Sequence, residues 1–180
     1  QGNEPKKVFN LDEFVTDDNT PIDEIRWRVS DYDETHMIVS IDVDRNVLVI
    51  PDKDWYGTET VTFTAMDAQG NEASKESPIK VTSPPVVTLS GELEMAEGET
   101  DTSLNLNEHV EDLDTPQNQI MWEFSVPNQA ELPLLINIDT SKKVLIYAPS
   151  GSKGDYSVTF IATDADGNKD EGTLTIKVTE

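Results

Sequence analysis

Aspartates one residue apart are the side chains of this sequence with the most chemistry to offer. Asp112-Leu113-Asp114 and Asp164-Ala165-Asp166 each supply two carboxylates from a short segment. A thinner set, Asp17, Asp18, Asn19 and Asp67, is followed by Gln69, one carboxylate fewer, and Asp52-Lys53-Asp54 adds an acidic loop. Carboxylate and carbonyl oxygens are hard ligands; roughly six to eight of them at flexible geometry hold Ca2+, whereas magnesium demands a tighter octahedron. The chain as a whole favours a cation, with 36 acidic against 13 basic residues and a net charge of -23 over 180 residues. The same field repels a phosphate backbone and an anionic membrane surface. Nucleic acid and direct membrane contact are therefore excluded as partners, and calcium is the first ligand to consider.

Other reactive chemistry is sparse. The chain has no cysteine, which removes thiolate nucleophiles, disulfides and thiolate-bound zinc. Its two histidines, His36 and His109, form no metal pattern, and no nucleophile motif or phosphate loop occurs. Carboxylates are plentiful enough for a glycosidase pair by residue type, yet they cluster in turns without a cleft, so the chain is expected not to be an enzyme. Asp164 to Glu171 fails as an EF-hand, because its glycine follows only two acidic positions and no helical pattern flanks it.

The elements that position these residues follow from a repeat. Asn10 to Ser30 aligns with Asn105 to Ser125 at ten of twenty-one positions, Trp27 with Trp122 among them. Val61 to Thr82 aligns with Val158 to Thr179 at twelve of twenty-two, including Asp67 with Asp164 and Gly70 with Gly167. The offset is 95 in the first block and 97 in the second, which places a two-residue insertion near Thr140-Ser141. The chain is two copies of one module, expected at 1-82 and 83-180, joined at Thr82-Ser83-Pro84-Pro85. Opening at Gln1 without Met, it reads as a piece of a longer chain whose neighbouring domains flank it.

Within each copy the hydrophobic period is two, as in Val61-Thr62-Phe63-Thr64-Ala65, and turn residues recur between short runs. About seven strands per copy, with Trp27 and Trp122 packing between sheets, give an all-β chain of two tandem immunoglobulin-like antiparallel β-sandwiches. The second copy has room for an opening strand at Val86 to Leu89; the first has only eight residues before Phe9, so its first strand reads as missing, truncated or supplied by another chain. In such a sandwich the second-to-third and sixth-to-seventh strand turns share an end, which brings Asp112 and Asp114 toward Asp164 and Asp166. Asp52 and Asp54, expected at the exit end of the first copy, would extend the site. The bland alternative is that these Asp and Asn residues serve turn geometry alone.

Pro51-Asp52-Lys53-Asp54-Trp55-Tyr56-Gly57, running on to Asp67-Ala68-Gln69-Gly70-Asn71, resembles the cadherin-like, immunoglobulin-like repeats of bacterial and archaeal surface proteins. Ala162-Thr163-Asp164 is similar to the motif by which cadherins supply a calcium ligand, and Asp112-Leu113-Asp114 to their paired aspartates. The resemblance implies an extracellular or cell-surface spacer or adhesion segment, stabilised by calcium. Its linker lacks the acidic, asparagine-rich linker of true cadherins. Trp55 and Tyr56 offer a second reading, stacking on a sugar ring in a glycan-binding module, against a packing role like that expected of Tyr156 in a tyrosine corner. Another surface protein, or assembly into a surface layer or filament, is a third.

Overall fold

A computed structural model describes residues 4–53, 55–126 and 133–180. The chain divides into two compact units, Gln1–Thr82 and Ser83–Glu180. In the first, β1 (Lys6–Asn10), β2 (Arg26–Ser30), β3 (Met37–Ile41), β4 (Asn46–Pro51), β5 (Gly57–Met66) and β6 (Glu72–Val81) form two three-stranded sheets, β1-β4-β3 and β2-β5-β6. Alternate residues point to opposite faces of a strand, so Val47 and Val49 of β4 and Val61 and Phe63 of β5 meet Leu11 and Ile79 in one core. Trp27 packs on its margin.

The second unit contains β7 (Val86–Val87), β8 (Ser90–Ala96), β9 (Thr100–Asp101), β10 (Val110–Glu111), β11 (Met121–Ser125), β12 (Leu135–Ile138), β13 (Val144–Tyr147), β14 (Gly154–Thr163) and β15 (Lys169–Thr179). Sheet β11-β14-β15-β8 faces sheet β12-β13-β9, and β7 pairs with β10. Equivalent residues fill the core, with Val144, Ile146, Val158, Phe160 and Ile176 all fully buried. The fold is all-β and immunoglobulin-like, and the described residues contain only short 3-10 turns besides strands. Two of these turns are repeat mates, Leu11–Phe14 and Leu106–His109, each capped by the preceding Asn10 or Asn105 side chain.

The strand count differs from seven per copy. Among the described residues the first unit has six, and the second divides its opening strand at Thr88-Leu89, where the chain passes from β10 to β15. β8 runs parallel to β15 over Ser90–Ala96, whereas among the described residues the equivalent strand of the first unit, β6, is an edge strand paired with β5. Two residues of β15 receive the crossing segment. Asp170 accepts the Val87 N–H at 2.7 Å, and at Gly172 a Cβ would stand 2.5 Å from the Leu89 carbonyl oxygen. Their counterparts in the first unit, at an offset of 97, are Ala73 and Lys75.

The two-residue insertion is not at Thr140-Ser141. Asp42 and Asp139 organise identical turns: each accepts from the backbone two and four residues on, and Arg45 and Lys142 follow at φ 62 and 66. From Ser30 to Asp42 is 42 - 30 = 12 residues, and from Ser125 to Asp139 is 139 - 125 = 14. The extra pair therefore precedes Asp139, in the connection between β11 and β12. That connection has little sequence similarity between copies, so alignment alone let the offset change drift into the next turn.

Candidate metal centre

The hairpin between β14 and β15 is tied by one side chain. Asp164 is 1% exposed; its Oδ1 accepts the N–H groups of Asp166 (2.9 Å) and Asn168 (2.8 Å), and its Oδ2 accepts from Asn168 Nδ2 (2.7 Å). Gly167, at φ 87, takes the position where a side chain would be strained. Asp67 does the same between β5 and β6, accepting from Gln69, Asn71 and Asn71 Nδ2 at 2.9, 2.7 and 2.6 Å. These bonds, that from the Asn71 side chain foremost, hold the Asp67 carboxyl below the usual carboxylate range.

Asp112 plays the same part in the turn before β11. Its Oδ1 accepts from the N–H groups of Asp114 (3.0 Å) and Thr115 (2.7 Å), as Asp17 Oδ1 does from Asn19 (3.0 Å) and Thr20 (2.7 Å). Turn geometry thus accounts for one oxygen of Asp17 and Asp112 and for both oxygens of Asp67 and Asp164.

What turn geometry leaves over is concentrated in the second unit. Asp112 Oδ2 and Asp114 Oδ1 are buried and accept no hydrogen bond, while Asp114 Oδ2 accepts the Ser83 N–H at 3.2 Å. Burial pushes the Asp114 carboxyl up, and the like charges of Asp112 and Asp166 push it the same way against the Ser83 N–H. Asp114 therefore feels both Asp112 and Asp166. Asp164 is turned inward with its oxygens used. The first unit has Asn19 for Asp114 and Gln69 for Asp166, and the Gln69 amide oxygen accepts from Thr20 Oγ1 at 3.3 Å instead.

An all-oxygen donor set with two orphaned buried oxygens fits a hard divalent cation in kind. Among the described residues, however, no three acidic or histidine side chains stand grouped to hold a metal ion. Asp52 is exposed, just past the end of β4 at Pro51. Asp54 lies outside the described residues.

Trp55 is half-buried and stacks face to face on His36, with ring centroids 4.8 Å apart and planes at 14°. His36 is held in turn by Glu59, Nδ1 to Oε2 at 2.8 Å. The indole lies over Gly57, where a Cβ would come 3.3 Å from Trp55 Cζ2. Tyr156 covers Gly154 in the same way, and its hydroxyl donates to the Ser152 carbonyl at 2.8 Å, the bond expected of a tyrosine corner. Trp55 thus has a packing task, which leaves Tyr56, 39% exposed, as the free aromatic of that loop. Sequence reasoning missed Asp42, Asp139 and Asp170, although the shared spacing of Asp42-Asp44-Asn46 and Asp139-Ser141-Lys143 carried the signal for the first two.

Residues 85–179 match the family model described as "Putative Ig domain", and residues 3–80 the one described as "Bacterial Ig domain". No curated protein matches the sequence. Among solved structures, "PcdhgB3 EC1-4 in 50 mM HEPES" is 14% identical, with a TM-score of 0.45 over 87% of this chain and 41% of that one. The human desmocollin-1 ectodomain is 15% identical, with a TM-score of 0.41 over 91% and 36%, and the titin I-band fragment I67-I69 is 14% identical, with a TM-score of 0.44 over 86% and 55%. The chain thus spans less than two thirds of the length of each of these. The family models cover both units, one of them 179 - 85 + 1 = 95 of the 180 residues. The chain belongs to the immunoglobulin-like domain family of that larger match, as a tandem of two such modules.

Proposed function

We propose that this chain is a non-catalytic tandem module, serving as a spacer or adhesion segment of a longer extracellular or cell-surface protein, whose second unit takes calcium at the side chains of Asp112 and Asp114, with Asp166 adding negative charge to Asp114's surroundings. Immunoglobulin-like families are generally non-enzymatic and typically extracellular. No helix among the described residues is long and apolar enough to cross a membrane. The observation that carries the cation is the pair of buried oxygens without a donor, Asp112 Oδ2 and Asp114 Oδ1, with the charge of Asp166 acting on Asp114 as well. Leaving such oxygens unsatisfied is costly, and a cation would satisfy both while cancelling the repulsion.

Asp114 also accepts the Ser83 N–H, so an occupied site fixes the segment that opens the second unit. Binding adds stability by mass action, about 2.7 kcal/mol at a hundredfold excess over Kd. Calcium titration calorimetry on the whole chain tests this. Heat is expected from the wild type and none from Asp114→Asn; equal heats from both, or none from either, refute the site.

A further inference from the structure

His36 closes the turn between β2 and β3, where its N–H donates to the Asp33 carbonyl at 3.0 Å, and its ring is held on two sides. One face lies on the Trp55 indole, and Nδ1 meets Glu59 Oε2 at 2.8 Å. The other Glu59 oxygen accepts the Asp33 N–H at 3.1 Å, so one carboxylate of β5 fixes both ends of the turn. The fold itself does not require this arrangement. At an offset of 97 the counterparts of Gly57 and Glu59 are Gly154 and Tyr156, and there an uncharged tyrosine hydroxyl closes the corner on the Ser152 carbonyl.

These bonds decide where the imidazole keeps its lone pair. The bond to His36 and the Asp33 N–H hold the Glu59 carboxyl below the usual carboxylate range, so at neutral pH it can only accept. A neutral His36 therefore carries its proton on Nδ1 and presents the lone pair at Nε2. Asp33 is prepared in the same way. Its Oδ1 accepts from the Thr35 hydroxyl at 2.7 Å and the Thr35 N–H at 2.8 Å, which keep the carboxyl below its usual range and ionised. Asp33 Oδ2 then stands 3.9 Å from His36 Nε2, with both side chains open to water. Two electron-pair donors thus face each other beyond hydrogen-bond distance, a pairing that a shared cation satisfies.

We propose that Asp33 Oδ2 and His36 Nε2 form a two-ligand site for a late divalent transition metal, Cu2+ or Zn2+, with water in the remaining positions and Glu59 positioning the imidazole from behind. Imidazole nitrogen suits these metals, with copper the tightest, whereas calcium prefers oxygen alone. A carboxylate on the far nitrogen of a ligating histidine fixes its tautomer and ring orientation, which is the place Glu59 takes, and the Trp55 stack sets the ring plane. Two ligands at a tetrahedral angle, each about 2.1 Å from one metal, stand roughly 3.4 Å apart. A small rotation of the half-exposed Asp33 carboxyl closes the gap from 3.9 Å. The site needs only two protein ligands, and it lies in the other unit from Asp112 and Asp114.

Titration of the whole chain with Cu2+, at mildly alkaline pH above the ordinary histidine range, tests it by NMR. Copper broadens signals close to it, so of the three tryptophan indole signals that of Trp55 is expected to vanish first. Before metal is added, nitrogen shifts should show His36 Nε2 without a proton. Asp33→Asn, which leaves the Trp55 stack and the Glu59 bond in place, and His36→Gln should each weaken copper binding at least tenfold. Glu59→Gln should weaken it by about 10–100-fold. His109→Gln and Asp114→Asn should bind copper like the wild type, so failure here and failure of the calcium reading are told apart. A proton on Nε2, a Trp55 signal that survives while others are lost, or wild-type affinity in Asp33→Asn overturns the site.

Discussion

Replacing Gly172 by alanine tests how the second unit receives its opening strand. The added methyl would stand 2.5 Å from the Leu89 carbonyl oxygen, 2.8 Å from Val87 Cγ1 and 2.9 Å from Leu89 Cβ. Two of these neighbours are the backbone and the Cβ of a buried residue, so the segment around Leu89 must move rather than swing a side chain aside. Overpacking of that kind costs about 1–3 kcal/mol. For a unit of 180 - 82 = 98 residues, each kcal/mol lowers Tm by roughly 4–8 °C. The second unit is therefore expected to melt lower by about 4–24 °C in differential scanning calorimetry. The matched control is Lys75→Ala in the first unit, an exposed edge position that no other strand crosses among the described residues, which should stay within about 0.5 kcal/mol of wild type. A Gly172→Ala chain that melts like wild type would refute the close approach, and with it the crossing from β10 to β15.

Four further outcomes follow from the structure. Asp164→Ala removes three bonds from a buried carboxylate and is expected to destabilise the second unit by about 2–3 kcal/mol, with or without calcium; chemical denaturation in calcium and in chelator measures this, and a loss seen only in calcium would make Asp164 a ligand instead. Because the Asp114 carboxyl is raised in the fold, its ionised form works against folding above its folded pKa, and the second unit recovers stability as pH falls through that value toward the unfolded one. Asp114→Asn should therefore raise the metal-free Tm at neutral pH and flatten that part of the pH profile, and a lowered Tm would contradict the sign. Asp67 behaves oppositely: its lowered carboxyl supports the first unit at neutral pH, and the support is lost as acid brings the pH below the ordinary carboxylate range and through its folded pKa. Trp55→Ala removes the stack on His36 and the cover over Gly57 and should lower the first unit's stability by roughly 1–3 kcal/mol; an unchanged melt would leave Trp55 free for a ligand.

Much of the architecture was legible because it is carried by local pattern. Period-two runs such as Val61 to Ala65 and the duplicated Asp-Gly-Asn turns are written in adjacent residues, and they mark strands and hairpins wherever they occur. The repeat made the reading stronger, since Trp27 and Trp122, or Leu11 and Leu106, had to serve the same place twice. The candidate site was legible only in part. Residue type pointed equally to Asp164 and Asp114, but whether a carboxylate faces its own turn or a neighbour depends on three-dimensional placement. Asp164 is spent on backbone N–H groups two and four residues on, and Asp114 is left facing Asp112 and Asp166. The roles of Asp170 and Gly172 were invisible because each acts on a segment more than eighty residues away.

A thermal melt of the whole chain in calcium, in magnesium and in chelator bears most directly on the proposed role. Calcium at a hundredfold excess over Kd is expected to raise the second unit's transition by roughly 10–20 °C, following the gain of about 2.7 kcal/mol, with a smaller rise in magnesium and little movement of the first unit. The rise should vanish in Asp114→Asn. Superimposable melts in calcium and in chelator would contradict a cation at Asp112 and Asp114, and would leave those aspartates to turn geometry alone.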